Sequence, residues 1–320
     1  MISQTMSPSQ HRMPAAMTRT VAILNPESAR GRTAETWARV RMQLPGKIET
    51  LETRAPGHGI ELTANAIRSG ATTIIAVGGD GTINEVVNGF FENERLISNE
   101  VTLGIVPRGT GSDFWRILNL PPDERTAASV IRSGAPRLID IMKVRYTRMD
   151  GTSALRYSVN ITSFGMGGLV AARANRSRKP LGGRIAFLIA TIRTALAFPG
   201  NSVTLRLDNS KTVEAKITNV AVGNGQYHGA GMWICPGASI EDGMLDLTVI
   251  KYLSLWELVR GLPVLYNSGI YTHSKVESYP VKHVQADSLE TTLIEIDGEP
   301  LGRLPIEVSI LPGAIRILMP

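Results

Sequence analysis

The sequence predicts a two-domain protein, in which an α/β domain with a parallel sheet precedes a domain rich in antiparallel β-strands. The chain has 320 residues, more than one domain usually contains. Apolar runs alternate with helical patterns up to residue 137, whereas short β-branched segments separated by Gly, Pro, Asn or Asp follow from residue 138. We therefore predict domains over 20–137 and 138–320, after a polar tail over 1–19 that is expected to be disordered.

The first domain is predicted to alternate four strands with three helices. The strands are TVAILNP (20–26), KIETLET (47–53), ATTIIAV (71–77) and EVTLGIVP (100–107). The helices are AETWARVRMQL (34–44), GIELTANAIRSG (59–70) and TINEVVNGF (82–90), in which apolar residues recur at helical spacing. Near-continuous apolar strands between helices are typical of a parallel sheet covered on both faces. This architecture is common among nucleotide-binding proteins, although a fold alone establishes no function.

The second domain is predicted to contain eight strand-like segments. Two helical intervals lie among them, near 184–197 and 255–266. The segments are IDIMKVRY (139–146), LRYSVNIT (155–162), SVTLRLD (202–208), VEAKITNVAVGN (213–224), MLDLTVIKYL (244–253), TTLIEIDGE (291–299), PIEVSIL (305–311) and AIRILMP (314–320). Their lengths and the turn residues between them indicate antiparallel pairing.

Composition and net charge favour some classes of binding partner and disfavour others. The formal net charge is +6, which favours anionic partners such as phosphates or acidic lipid headgroups. Aromatic residues make up 5% of the chain and no nucleic-acid-binding signature is present, so nucleic acid is not expected as a partner. The longest strongly apolar run, at 185–192, is too short to span a bilayer, which needs about 20 residues. The single cysteine, Cys235, is expected to be a buried small side chain.

A basic interval favours contact with a membrane surface. No acidic residue occurs between Asp150 and Asp208, and the segment 173–193 joins several Arg and Lys residues to an apolar helical pattern. One hypothesis is that this segment, including Arg176, Arg178 and Lys179, docks on anionic lipid. The alternative is a solvated basic loop beside a core helix. The expected location is cytoplasmic with peripheral membrane contact. The sequence does not decide whether the protein forms a homodimer.

The segment Gly78-Gly79-Asp80-Gly81-Thr82 carries the first functional signal. A strand, a glycine turn and a helix in succession place free backbone N–H groups at the positive end of a helix dipole, where phosphate binds. Thr82 and Glu85 have the spacing of a capping box, which predicts that the helix begins at Thr82. The chain contains no Walker-type G-x-x-x-x-G-K-[ST] motif, and the G-x-G-x-x-G spacing fails here, which disfavours a dinucleotide oxidoreductase.

Five ordered blocks resemble the diacylglycerol kinase catalytic-domain family, which includes sphingosine, ceramide and bacterial lipid kinases. They are NPESARG (25–31), GGDGTINEVVNG (78–89), GIVPRGTGSDFWR (104–116), AVGNGQYHGAGMWICPGASIEDGMLDLTVI (221–250) and IEIDGEP (294–300). The resemblance implies an α/β domain like that of NAD kinases, a β-sandwich-like second domain, and an active site in the cleft between them. Ser112 and Trp115 depart from the family pattern, which has asparagine and a small residue there.

The resemblance also assigns residues to roles. A first set falls where the family holds ATP: Asn25, Pro26, Glu27, Ser28, Ala29, Thr53, Gly78, Gly79, Asp80, Gly81, Thr82, Ile83, Asn84, Glu85, Gly109 and Thr110. Ser239, Asp242 and Met244 fall on a magnesium site of bacterial members. Glu299 falls on the proposed proton acceptor.

The acidic residues allow more than one role. Asp80 would orient the metal at the phosphates, or act as the base. Asp297 and Glu299 would present both carboxylates on one side of an extended segment, and Asp297 is included as a catalytic candidate. The alternative for Asp297-Gly298 is a plain hairpin turn, because Asp-Gly is a common hairpin signal.

Together these features predict a kinase that uses ATP and Mg²⁺ to phosphorylate a lipid hydroxyl in phospholipid metabolism. Diacylglycerol or a related glycerolipid is the first choice of acceptor, and a sphingoid base or ceramide is the second. A soluble-substrate kinase of the NAD kinase type and a non-catalytic nucleotide- or lipid-binding regulator are the alternatives.

Overall fold

The computed structural model describes residues 19–108, 111–176, 191, 193–194, 196–267 and 269–320. Several sequence predictions therefore lie outside the described residues. They are the tail over 1–18, the nucleotide-loop residues Gly109 and Thr110, the cations Arg178 and Lys179, and most of the helical interval 184–197.

The first domain has the predicted alternation of strands and helices. Its elements are β1 (Thr20–Leu24), α1 (Thr33–Arg41), β2 (Ile48–Glu52), α2 (His58–Arg68), β3 (Thr73–Gly78), α3 (Asp80–Asn88), the short hairpin β4 (Phe91–Glu92) and β5 (Arg95–Leu96), β6 (Thr102–Pro107), α4 (Asp113–Ile117) and α5 (Glu124–Ser133). The strands pair in parallel in the order β2-β1-β3-β6, so their carboxyl ends share one edge. Strands β1 and β3 are almost wholly buried, which explains their continuous apolar sequences.

The second domain is built mainly from antiparallel strands, as predicted. Its elements are β7 (Ala135–Thr147), β8 (Ser153–Ser158), β9 (Ile161–Gly165), α6 (Met166–Arg176), β10 (Asn201–Leu207), β11 (Lys211–Gly223), β12 (Tyr227–His228), β13 (Met232–Trp233), β14 (Leu245–Lys251), α7 (Leu255–Gly261), β15 (Val276–Val281), β16 (His283–Asp287), β17 (Leu293–Ile296) and β18 (Glu299–Met319). The main path runs β15-β14-β11-β10-β16-β18, and β9 joins β11 to β17. Short 3-10 helices at Ser28–Gly31, Leu262–Tyr266 and Gly269–Thr272 complete the described elements.

Strand β18 connects the two domains. Its first half pairs with β16 and β7, and its last residues run parallel to β6, with Arg316 opposite Thr102 and Ile317 opposite Leu103. The two strands predicted at 305–311 and 314–320 are thus one strand, with an irregularity between Leu311 and Ile315. Ile315 and Ile317 are buried in the core of the first domain, whereas Val308 and Ile310 belong to that of the second. The domain limits at 137 and 138 stay a prediction.

Candidate active site

The turn between β3 and α3 opens the carboxyl edge of the parallel sheet. Helix α3 begins at Asp80, and Gly79 precedes it in an extended conformation without a side-chain cap. A Cβ at Gly78 would lie 2.3 Å from Thr82 Oγ1, so only glycine allows this close approach. Thr82 Oγ1 accepts a hydrogen bond from Asn25 Nδ2 at 3.2 Å, which ties the loop after β1 to the turn.

The predicted capping box is wrong. Thr82 lies inside the first turn of α3 rather than before it, and Glu85 points to a different helix. Its carboxylate accepts hydrogen bonds from the backbone N–H groups of Gly57 at 2.7 Å and Gly59 at 2.9 Å. Glu85 thus satisfies donors at the start of α2, where a helix has unpaired N–H groups. Glu85 therefore does not cap the first backbone N–H groups of α3.

The other described residues of the predicted nucleotide set gather at the same edge. Asn25 follows β1 and donates its backbone N–H to Val77 O at 3.1 Å, and Thr53 follows β2 and donates to Leu24 O at 2.8 Å. The loop over 25–29 continues into a 3-10 turn, where Ala29 has a φ of 53°. Their roles in binding a nucleotide stay predictions.

Asp80 forms a close pair of acids with Asp113. Asp80 accepts hydrogen bonds from the backbone N–H groups of Asp113 and Phe114, both at 3.2 Å. Burial raises the pKa of Asp80 to about 6, and the negative charge of Asp113 adds to this rise, while the two N–H groups oppose it. A carboxyl group with such a pKa exchanges a proton near neutral pH, as functional-site acids often do.

Asp113 also links α4 to the second domain. Its Oδ2 accepts a hydrogen bond at 2.9 Å from the backbone N–H of Ala230. Ala230 lies between Gly229 and Gly231, and all three residues have positive φ. The guanidinium of Arg116 lies 5.7 Å from the ring centre of Tyr227, beside this loop. The glycine-rich segment of the second domain therefore faces the Asp80 turn across the cleft.

Asp297 lies in a hairpin turn between β17 and β18, and the expectation of an extended segment there is wrong. Asp297 and Gly298 have φ values of 48° and 86°, and Ile296 pairs with Glu299 across the turn. The half-buried Asp297 carboxylate has five donors within the described structure. They are Ser158 Oγ (2.6 Å), Asn84 Nδ2 (2.7 Å) and the backbone N–H groups of Val159 (3.0 Å), Asn160 (3.1 Å) and Ile161 (3.1 Å). These contacts give Asp297 a structural role, because they join the hairpin to the β8–β9 connection and to α3. Its catalytic role stays a prediction.

Glu299 has a different environment from Asp297. Its side chain is exposed, and no hydrogen bond or ion pair joins its carboxylate to the described residues. Its Oε1 would lie 3.5 Å from a Cβ at Gly81, so the carboxylate faces the start of α3. An unengaged carboxylate opposite a helix N-terminus can accept a proton from a hydroxyl that is held between them.

The predicted magnesium loop contacts the junction of the domains. Asp242 is exposed and accepts a hydrogen bond from the backbone N–H of Met244 at 3.0 Å. Ser239 Oγ accepts from Glu241 N–H at 3.4 Å. Buried Asp140 fixes the loop by accepting from the N–H groups of Gly243 and Gly313, both at 2.7 Å. The metal role of Ser239, Asp242 and Met244 stays a prediction.

The described part of the chain contains no group of three His, Cys, Asp or Glu side chains that could hold a metal ion by itself. Mg²⁺ bound to nucleotide phosphates needs only one or two protein carboxylates. Asp80 keeps lone pairs beyond its two backbone contacts, and Glu299 is unengaged. These oxygen donors fit a phosphate-bound Mg²⁺.

An apolar cavity of about 150 Å³ lies in the second domain. Its lining is mostly apolar and comes from β9, α6, β11, the β12–β13 hairpin, β14 and the segment 253–276, with Met166, Val170, Ile250, Leu258, Leu265 and Ile270 among the members. The polar part of its wall includes Ser163 and His228.

A buried carboxylate connects this cavity to the hairpin. Glu295 is fully buried, and it accepts hydrogen bonds from Ser163 Oγ at 2.7 Å and from Gly298 N–H at 2.6 Å. His228 Nε2 lies 3.7 Å from Glu295 Oε1. Burial raises the pKa of Glu295, and the nearby His228 opposes the rise. The cavity wall and the Glu299 hairpin are therefore one connected structure.

Sequence reasoning did not assign Ser163, His228, Glu295 or Asp113 to the site. His228 lines the cavity. One signal was available for Glu295, since a carboxylate between Ile294 and Ile296 in a buried strand requires a partner. Cys235 is fully buried, as expected.

Comparison with known proteins gives consistent matches along the chain. The model of the diacylglycerol kinase catalytic domain matches residues 19–144, and that of the YegS C-terminal NAD kinase beta sandwich-like domain matches residues 160–319, half of the chain. A protein from Mycobacterium tuberculosis named "Diacylglycerol kinase" is 29% identical over 81% of this chain and 80% of its own length. A protein from Stenotrophomonas maltophilia named "Probable lipid kinase YegS-like" is 28% identical over 86% and 87%.

Solved structures show the same fold. A diacylglycerol kinase from Bacillus anthracis matches with a TM-score of 0.68 and 20% identity, over 94% of this chain and 97% of that one. Yeast NADH kinase in complex with NADH matches with a TM-score of 0.56 and 13% identity, over 95% and 84%. The predicted pairing of an NAD kinase-like α/β domain with a β-sandwich-like domain is confirmed. The chain belongs to the diacylglycerol kinase and YegS-like family, and it is a lipid kinase.

Proposed function

We propose that this lipid kinase transfers the γ-phosphate of ATP to the hydroxyl of diacylglycerol or a related glycerolipid. The observation that carries the proposal is the continuity between the apolar cavity and the glycine turn. Ser163 in the cavity wall bonds to Glu295, Glu295 holds Gly298, and the adjacent Glu299 faces Gly81 at the start of α3. A lipid whose chains occupy the cavity would present its hydroxyl at this hairpin.

The chain's own residues then divide the work of phosphoryl transfer. The first N–H groups of α3 bind the phosphate oxygens at the positive end of the helix dipole. Asp80 would supply oxygen donors to a phosphate-bound Mg²⁺, which would neutralise charge on the phosphates when bound. Glu299 accepts the proton of the acceptor hydroxyl, because it is an exposed carboxylate that faces the start of α3. Asp297 holds the hairpin in place.

Acceptor specificity is tested by incubating the protein with γ-labelled Mg·ATP and, in separate reactions, NAD or mixed micelles of diacylglycerol, phosphatidylglycerol, sphingosine or ceramide. The expected result is label in diacylglycerol, and loss of that label in Glu299→Gln. Glu214→Gln is the matched control, since Glu214 is an exposed carboxylate on β11 far along the sheet. Label in sphingosine or ceramide alone would contradict the glycerolipid assignment, and label on NAD with none in lipid would contradict the acceptor class.

A further inference from the structure

Exposed apolar side chains concentrate on the segment 252–266, here called the rim segment. Half of the large exposed hydrophobic side chains in the described part of the protein belong to it: Tyr252 (38% exposed), Leu255 (41%), Trp256 (62%), Val259 (51%) and Tyr266 (59%). Single exposed hydrophobic residues are normal on a protein surface, whereas a contiguous group indicates an interaction site.

The rim segment forms the edge of the apolar cavity. Helix α7 and the 3-10 turn after it provide Leu258, Val264 and Leu265 to the cavity lining. Leu255 and Val259 line the cavity as well, yet both are largely exposed. The apolar surface is therefore continuous from the interior of the cavity to the outside of α7.

The charges around the rim segment fit a boundary between an apolar phase and water. Glu257 is its only acidic residue, and Lys275 pairs with it at 2.7 Å. The guanidinium of Arg260 lies 4.6 Å from the ring centre of Trp256, and Lys216 Nζ lies 4.8 Å from that of Tyr252. Trp and Tyr rings with cations beside them are typical of surfaces that sit at the level of lipid headgroups.

We propose that the rim segment docks this protein on the surface of a lipid bilayer, so that the acceptor passes from the bilayer into the cavity without crossing water. This inference rests on the proposed function, which places lipid chains in the cavity. The occupant is a bilayer rather than a protein, because a second chain seated on the rim would close the entrance that the acceptor uses. Docking of this kind is apolar, in contrast to the charge-driven docking predicted for 173–193.

The test compares Trp256→Ser/Tyr266→Ser with Met42→Ser/Leu289→Ser, which removes two exposed hydrophobic side chains elsewhere. Neither Trp256 nor Tyr266 lines the cavity. Partition onto neutral phosphatidylcholine vesicles that contain some diacylglycerol is measured by sedimentation at low and high salt. The rim variant is expected to lose binding by about tenfold or more, since two large apolar side chains no longer enter the bilayer. The control variant and the wild type should bind equally at both salt concentrations.

Kinase rates separate docking from damage to the cavity. The rim variant should phosphorylate diacylglycerol in vesicles about tenfold more slowly than the control variant does. The two variants should phosphorylate a soluble short-chain diacylglycerol, below its critical micelle concentration, at equal rates. Vesicle binding equal to that of the control, or binding that requires anionic lipid and disappears at high salt, would overturn the proposal. So would an equal loss of rate on the soluble acceptor, or loss of a dimer in place of vesicle binding. If the wild type phosphorylates no lipid while vesicle binding still depends on the rim, docking stands and only the proposed acceptor fails.

Discussion

Replacement of Asp297 is predicted to lower the stability of the protein, whereas replacement of Glu299 is predicted to lower its kinase rate. Asp297→Ala removes the acceptor for five donors, three of which are backbone N–H groups of the β8–β9 connection and the first residue of β9. Water can reach part of this half-buried site, so not every lost hydrogen bond counts fully. We expect a loss of about 4 kcal/mol in the free energy of unfolding, because hydrogen bonds to a charged group are worth roughly 1.5–3 kcal/mol each. For a chain of this size that corresponds to a fall of roughly 6 °C in Tm.

Glu299→Gln should leave Tm unchanged, because the described structure gives this exposed side chain no partner to lose. Its rate of lipid phosphorylation should fall by about 100-fold or more if Glu299 accepts the proton. Thermal unfolding and initial rates with a saturating lipid acceptor measure both effects. Asp150→Ala is the matched control, since Asp150-Gly151 is an exposed Asp-Gly turn whose carboxylate accepts hydrogen bonds from Thr152. An Asp297→Ala variant with the Tm of the wild type and the rate of Glu299→Gln would refute this division of roles.

Three further predictions concern Asp80, Glu85 and Glu295. The pKa of Asp80 is raised in the folded protein to about 6, so its contribution to stability is present below about pH 4 and is lost as the pH rises through about 6. We therefore expect that, as the pH rises from about 4 to about 6, the free energy of unfolding of Asp80→Asn increases by roughly 3 kcal/mol relative to that of the wild type. Urea unfolding at each pH measures this difference, and a difference that does not change with pH would contradict the raised pKa. Glu85→Ala should lower stability by about 1 kcal/mol, because α2 loses its N-terminal partner, and it should leave the Kd for ATP unchanged. A weaker Kd at full stability would instead favour the nucleotide role for Glu85. Glu295→Ala should lower kcat/KM for the lipid by about tenfold, because the cavity wall and the hairpin lose the residue that joins them, and it should leave the Kd for ATP unchanged. An equal loss in kcat/KM for the lipid and in affinity for ATP would contradict a role for Glu295 in joining the cavity to the hairpin.

Much of the fold follows from local sequence, and the exceptions have physical causes. Strands β1 and β3 are predictable because both of their faces are buried, which requires an apolar residue at nearly every position. Helix α5 was missed although its sequence is amphipathic, with Ala127, Ala128 and Val130 on its buried face. Strands β15 and β16 were missed as well. Strand β15 has one buried residue and contains Pro280, which cannot donate a hydrogen bond to a neighbouring strand, and β16 is only five residues long.

Part of the candidate site can likewise be predicted from local sequence, and part of it cannot. The glycine turn is readable in sequence, because glycines between a buried strand and the start of a helix are typical of phosphate-binding turns. The role of Asp297 is not readable, since its donors come from Asn84 and from residues 158–161, far away along the chain. The cavity is not readable either, because its lining is assembled from segments that ordinary core residues would equally provide. The link from Ser163 through Glu295 to Gly298 exists only once β9 and β17 have paired.

The central claim is that the acceptor lipid occupies the cavity beside the Glu299 hairpin. Photocrosslinking tests it most directly, with a diacylglycerol that carries a diazirine in one acyl chain and a non-hydrolysable ATP analogue present to hold the ternary complex. The account predicts crosslinks on peptides that contain Met166, Val170, Leu258 or Leu265, with competition by unlabelled diacylglycerol. Competable crosslinks confined to the first domain, with none on these peptides, would contradict it.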